Sequence, residues 1–201
     1  MHTLKMLAAA ALVASTPAMA AGWNEAVNGD FSNDGLVPTS VTLQTGITDI
    51  LGSTGRAVTG GPVDRDYFTV VVPAGFVLES LVLEAGVSVI GGGSFLGLQS
   101  GPQVTVSPTG GTADGLLGWT VYTIDNVGSD LLFTMSLPAL GSSGFDVPLP
   151  AGTYSFWVQE TGVGAADYHF ALSVAAVPEL PPAAGLAGGL ALLAALKRRR
   201  R

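Results

Sequence analysis

Apolar and polar residues alternate most regularly in the last third of the chain. Tyr154, Phe156 and Val158 fall on one parity and Thr153, Ser155, Trp157 and Gln159 on the other, while Tyr168, Phe170, Leu172 and Val174 share a parity. A period of two belongs to an extended chain with one buried face. Thr153–Glu160 and Asp167–Val174 are therefore expected to be strands. Shorter runs at Asp66–Val72, Val77–Glu84, Ser94–Gln99, Gln103–Val106, Leu116–Tyr122 and Asp130–Leu137 repeat the theme, broken by Gly- and Pro-rich turns such as Pro73-Ala74-Gly75. Residues 21–62 are rich in Gly, Asn, Asp, Ser and Thr, and their best strand candidates are Val41–Leu43 and Ile47–Leu51. No part of the core offers a sustained helical period. The pattern predicts an all-β protein, an antiparallel β-sandwich or jelly roll of about 8–10 short strands, with 63–176 as its body and 21–62 as the N-terminal part of the same core.

The two ends have a different texture. Residues 1–20 carry one cation, Lys5, then a mostly apolar stretch and the small residues Ala18 and Ala20 flanking Met19. That order predicts a signal peptide cut before Ala21 by signal peptidase. At the other end, Val177-Pro178-Glu179-Leu180-Pro181-Pro182 cannot continue a sheet or helix, because proline fixes φ and removes a donor. Ala183–Leu196 contains only Ala, Gly and Leu and is followed by Lys197, Arg198, Arg199, Arg200 and Arg201. As a helix this run would span roughly 21 Å against about 30 Å of hydrocarbon, a marginal transmembrane segment with its basic end in the cytoplasm. The motif, apolar run and arginine cluster together resemble the PEP-CTERM sorting signal of exopolysaccharide-producing Gram-negative bacteria. The resemblance implies transient inner-membrane anchoring, cleavage near Pro178-Glu179 by an exosortase-type membrane protease, and delivery to the cell surface or extracellular matrix. Leu180 stands where that family usually has proline.

Removing both ends changes the charge. Between Ala21 and Ala176 the cations are Arg56 and Arg65 against fourteen acids, twelve net negative charges. Phosphate-bearing partners would be repelled, which argues against nucleic acid. Cysteine is absent, so stability in an oxidising compartment must come from a hydrophobic core. Two segments, Asp64-Arg65-Asp66-Tyr67-Phe68 with the following Val-Pro-Ala-Gly turn and Pro150-Ala151-Gly152-Thr153-Tyr154, resemble the bacterial pre-peptidase C-terminal type of β-sandwich. That resemblance implies an accessory module usually appended to secreted enzymes, here without an enzyme.

Candidate chemistry is sparse. The core has one histidine, His169, whose parity opposes Tyr168 and Phe170 and so points it to solvent; zinc would want several such ligands. Gly92-Gly93-Ser94-Phe95-Leu96 lacks the closing glycine of a nucleophile elbow. Asp30, Ser32 and Asp34 alternate like a calcium loop, but Val41 occupies the place of the bidentate glutamate, so an Asx-type turn or a calcium site of another kind is expected. Asp64 and Asp66, two apart on an extended segment, are candidates for a Ca²⁺ contact. With Glu79 and Glu84 they are also the candidates for a glycoside hydrolase, whose two carboxyls must flank a cleft. Trp119 and Trp157 are candidate glycan contacts, Trp157 because it shares the polar parity of Ser155 and Gln159. These observations lead to an expected function as a non-enzymatic, surface-sorted structural or exopolysaccharide-contacting protein of the extracellular matrix that requires no cofactor. A secreted hydrolase and an ice-binding protein are the alternatives, the latter without a regular Thr-x-Thr array.

Overall fold

The computed structural model describes residues 22–160 and 162–177; the signal-peptide residues Ala18 and Ala20, the motif residues Pro178 and Glu179, the apolar run and the basic tail lie outside them. Nine strands form two mixed sheets. Following the chain they are β1 (Trp23–Asn24), β2 (Thr39–Val41), β3 (Gly46–Arg56), β4 (Arg65–Val72), β5 (Phe76–Leu83), β6 (Ser94–Ser100), β7 (Gly118–Tyr122), β8 (Gly152–Gln159) and β9 (Gly164–Ala176). One sheet has the order β1-β3-β9-β5 and the other β2-β4-β8-β6-β7. The expected all-β architecture is present, but it is not purely antiparallel. The short strands β1 and β2 pair in parallel with β3 and β4, because the N-terminal segment reaches each sheet as an added edge rather than through a hairpin.

Between the sheets lies one core, built from the inward parity of each long strand. Ile50 from β3, Phe68 and Val70 from β4, Leu96 and Leu98 from β6, Phe156 and Val158 from β8, and Phe170 and Leu172 from β9 are all buried in it. Phe68 stacks on Phe156 at 5.0 Å between ring centroids. The alternation read in β8 and β9 is thus a true inside–outside pattern.

Two expected strands are absent. Asp130–Leu137 is instead capped by Asp130, which begins a short helix, α2 (Leu131–Ser136), and Asp130 Oδ1 accepts from the amide of Leu132. Leu131, Leu132 and Met135 are buried while Phe133 is exposed, a helical spacing that closes one side of the core. Gly118 permits this, since a Cβ there would collide with the Met135 carbonyl. Gln103–Val106 forms no strand either; it belongs to the loop 101–117, which folds back over the outer face of the five-stranded sheet. Val104 and Val106 are spent on packing there rather than on a ladder.

Candidate functional site

The outer face of the five-stranded sheet carries an unusual row. Register aligns Tyr67 of β4 with Trp157 of β8, Trp157 with Gly97 of β6, and Gly97 with Trp119 of β7. The missing side chain at Gly97 leaves a gap that the ring of Phe95 fills, since a Cβ at Gly97 would come within 2.9 Å of that ring. Phe95 lies 4.6 Å from Trp157 and 6.0 Å from Trp119 between centroids, and Tyr67 stacks on Trp157 at 5.9 Å. Loop 101–117 covers part of the row: Val104, Val106 and Leu116 pack on Tyr67 and Trp157. That loop is tied down by the amide of Val104 donating to the Gly35 carbonyl and by Gln103 Nε2 donating to that of Leu36.

Beside this cover a mainly apolar cleft of about 790 Å³ remains open, lined by Phe95, Leu116, Trp119, Trp157 and Gln159 among others. Trp157 is only 7% exposed, and its indole Nε1 is buried with no hydrogen-bond partner. Trp119 is half-buried and donates from Nε1 to the Leu140 carbonyl. Gln159 is oriented by Arg65, whose Nε donates to its Oε1 at 2.6 Å. Both predicted tryptophans thus line one cleft, though Trp157 serves as its floor and not as a free surface ring. Phe95 and Gly97, which build the cleft with them, were not singled out in the sequence; glycine opposite two tryptophans is visible only once register is known.

At the end of the sandwich a second group of side chains converges. The segment 22–31 is wound tightly. Asn24 caps a single helical turn, α1 (Glu25–Asn28), Trp23 Nε1 donates to the Gly29 carbonyl, and Phe31 enters the core against Phe68. This winding delivers Glu25 and Asp30 to Asp66 of β4, with one carboxylate oxygen of each within 4.8 Å of the others. Asp66 is fully buried; the Tyr168 hydroxyl donates to its Oδ2 at 2.7 Å. Burial pushes the Asp66 carboxyl up to about 9; the Tyr168 hydrogen bond opposes the rise, and the charges of Glu25, Asp64 and Asp30 add to it. Burial also raises Glu25, against the hydrogen bonds its Oε1 and Oε2 accept from the amides of Phe31 and Ser53.

Asp64 does not complete a pair with Asp66. Its Oδ1 accepts from Asn33 Nδ2 at 3.0 Å, and it stays outside the group formed with Glu25 and Asp30. Ser32 and Asp34 are likewise committed to a turn: Ser32 Oγ accepts from the Asp34 amide and Asp34 Oδ1 from the Leu36 amide. Of the loop that resembled a calcium motif, only Asp30 points to other acids. Glu79 is exposed on β5, away from them. His169 sits on the outer face of the four-stranded sheet with Nε2 2.8 Å from Asp49 Oδ1. No helix among the described residues is long and apolar enough to cross a membrane. No protein-family model, curated protein or solved structure matches the chain.

Proposed function

We propose that this chain is an exported, non-enzymatic protein, sorted to the cell surface, that contacts uncharged glycan of the extracellular matrix through the cleft of Phe95, Trp119 and Trp157. The observation that carries the reading is a mainly apolar cleft of about 790 Å³ in which the Phe95 ring packs against both Trp119 and Trp157. A sugar ring offers oxygens at its rim and an apolar C–H face for aromatic rings, the combination that suits this lining. The excess of acids in the body of the chain disfavours anionic polysaccharide and selects neutral residues.

The sandwich is proposed to be a relative of the pre-peptidase C-terminal module with a jelly-roll connection, exported through 1–20 and processed by an exosortase-type protease at Val177, Pro178 and Glu179. A hydrolase reading finds less support. Asp66 is buried without access to substrate, and Asp64 is held by Asn33. Affinity electrophoresis and tryptophan fluorescence with neutral matrix polysaccharides test the cleft. Binding weakened about tenfold or more by Trp119→Ala, roughly 1.4 kcal/mol, is expected. Unchanged affinity in that variant overturns the site, and glycan cleavage abolished by Asp66→Asn would replace it with an enzyme.

A further inference from the structure

We propose that Glu25, Asp30 and Asp66 hold a calcium ion that clips the N-terminal segment 22–31 onto the end of the sandwich. The inference is independent of the aromatic cleft. Two buried acids differ in what surrounds them. Glu160 is fully buried, and donors surround it: the Ile90 amide and Ser94 hydroxyl give to Oε2, and the Gly162 amide gives to Oε1. Asp66 is equally buried, yet only Oδ2 is served, by Tyr168; Oδ1 has no partner. What gathers beside Asp66 instead is two more carboxylates. With the carboxyls ionised, a buried acceptor ringed by acceptors is a costly arrangement; a proton relieves it in the metal-free protein, and a cation entering among them relieves it by displacing that proton.

Protein cations do not fill that role. Among the described residues the one ion-pair contact is His169 with Asp49, and neither Arg56 nor Arg65 pairs with an acid. The surrounding structure also keeps the space open. Gly52 faces the group from β3, and a Cβ there would meet the Tyr168 hydroxyl and come within 3.0 Å of Glu25 Cδ. Thr54, two residues further along the same parity of β3, has a buried hydroxyl with no partner. Glu25 is held by the Phe31 and Ser53 amides, with the Ser53 hydroxyl also donating to Oε2 at 3.5 Å, while Oε1 keeps a second lone pair for a metal.

The donor set selects the ion. Three carboxylates, with neither histidine nor cysteine, suit a hard cation rather than zinc or copper. Calcium takes 6–8 oxygens at about 2.3–2.6 Å, so one ion can bridge oxygens within 4.8 Å of each other and complete its shell with carbonyls, hydroxyls and water. Magnesium demands shorter, near-octahedral contacts and keeps its water, a poor match to a group with a buried carboxylate. Sites of this kind in extracellular modules bind at about 10⁻⁴–10⁻³ M.

The test uses the full chain as purified from an exporting host and stripped with EDTA. Isothermal titration with CaCl₂ and MgCl₂ is run beside thermal melts. One calcium per chain, a melting midpoint raised by several degrees at saturating calcium and a weaker response to magnesium are expected. Asp30 is exposed, so Asp30→Asn should leave the EDTA midpoint unchanged while weakening calcium at least tenfold; Glu25→Gln should weaken calcium as much but lower the EDTA midpoint, because the Phe31 or Ser53 amide loses its acceptor. Absence of calcium heat and of any midpoint shift overturns the proposal, as does calcium binding that survives in both variants or a preference for magnesium.

Discussion

Gly97 shows how one residue sets the chemistry of a face. It lies in register between Trp157 and Trp119, and the Phe95 ring occupies the volume a side chain would take. Gly97→Ala therefore has to displace an aromatic ring already packed on both tryptophans, a strain of about 1–3 kcal/mol. The expected result is a lower unfolding midpoint in urea and a red-shifted tryptophan emission as Trp157 becomes wetter. An unchanged spectrum would mean that Phe95 does not occupy the gap. Trp157 itself illustrates a limit of alternation. Its parity correctly put it on the outer face, yet it is buried there, because Val104, Val106 and Leu116 fold over it from a loop that has no period to read. The sequence singles out Asp66 together with Asp64, and the structure separates the two. That Glu25 and Asp30 lie beside Asp66 is not readable in the sequence, since they meet it through a winding of the N-terminal segment that no local spacing rule encodes.

Among the elements, α2 is where local pattern and tertiary context diverge most. An alternating strand through Leu131–Ser136 would bury every second residue, whereas the helix buries the adjacent pair Leu131 and Leu132 together with Met135 and exposes Phe133. Six apolar-rich residues are too few to distinguish these periods, and the deciding signal is the Asp130 cap, which also accepts from the Leu81 amide of β5. The consequence is measurable. Leu131→Ala and Leu132→Ala should each cost about 2–5 kcal/mol in urea unfolding, as core truncations do, while Phe133→Ala should stay within about 0.5 kcal/mol. A large loss at Phe133 with tolerance at Leu132 would restore the strand. The long strands β8 and β9 were readable because eight and thirteen residues give alternation room to repeat. The parallel edges β1 and β2 were not, since two or three residues carry no period.

For the whole molecule, the informative point is how far β9 runs. β9 is hydrogen-bonded on both sides, to β3 and β5, so the four-stranded sheet depends on it. Its ladder runs to Ala176 opposite Phe76, and the Val177 amide donates to the Gly75 carbonyl at 2.8 Å. In sequence the Pro178-Glu179 pair comes next. A protease acting at that pair would meet the chain beyond the last sheet contact of the described residues and would break none of the ladder described, which is what a sorting step on an already folded substrate requires. If processing occurs there, Pro178→Ala with Glu179→Ala should leave a longer, membrane-retained form in fractionated cells, and identical processing in the double variant would remove the protease reading. The fold adds a second, independent readout. The released form and the retained form should melt at the same temperature, because the β9 hydrogen bonds to β3 and β5 described above survive the cut. A released form melting clearly lower would place the cut inside β9, where the central strand of the sheet would be severed from its last partners.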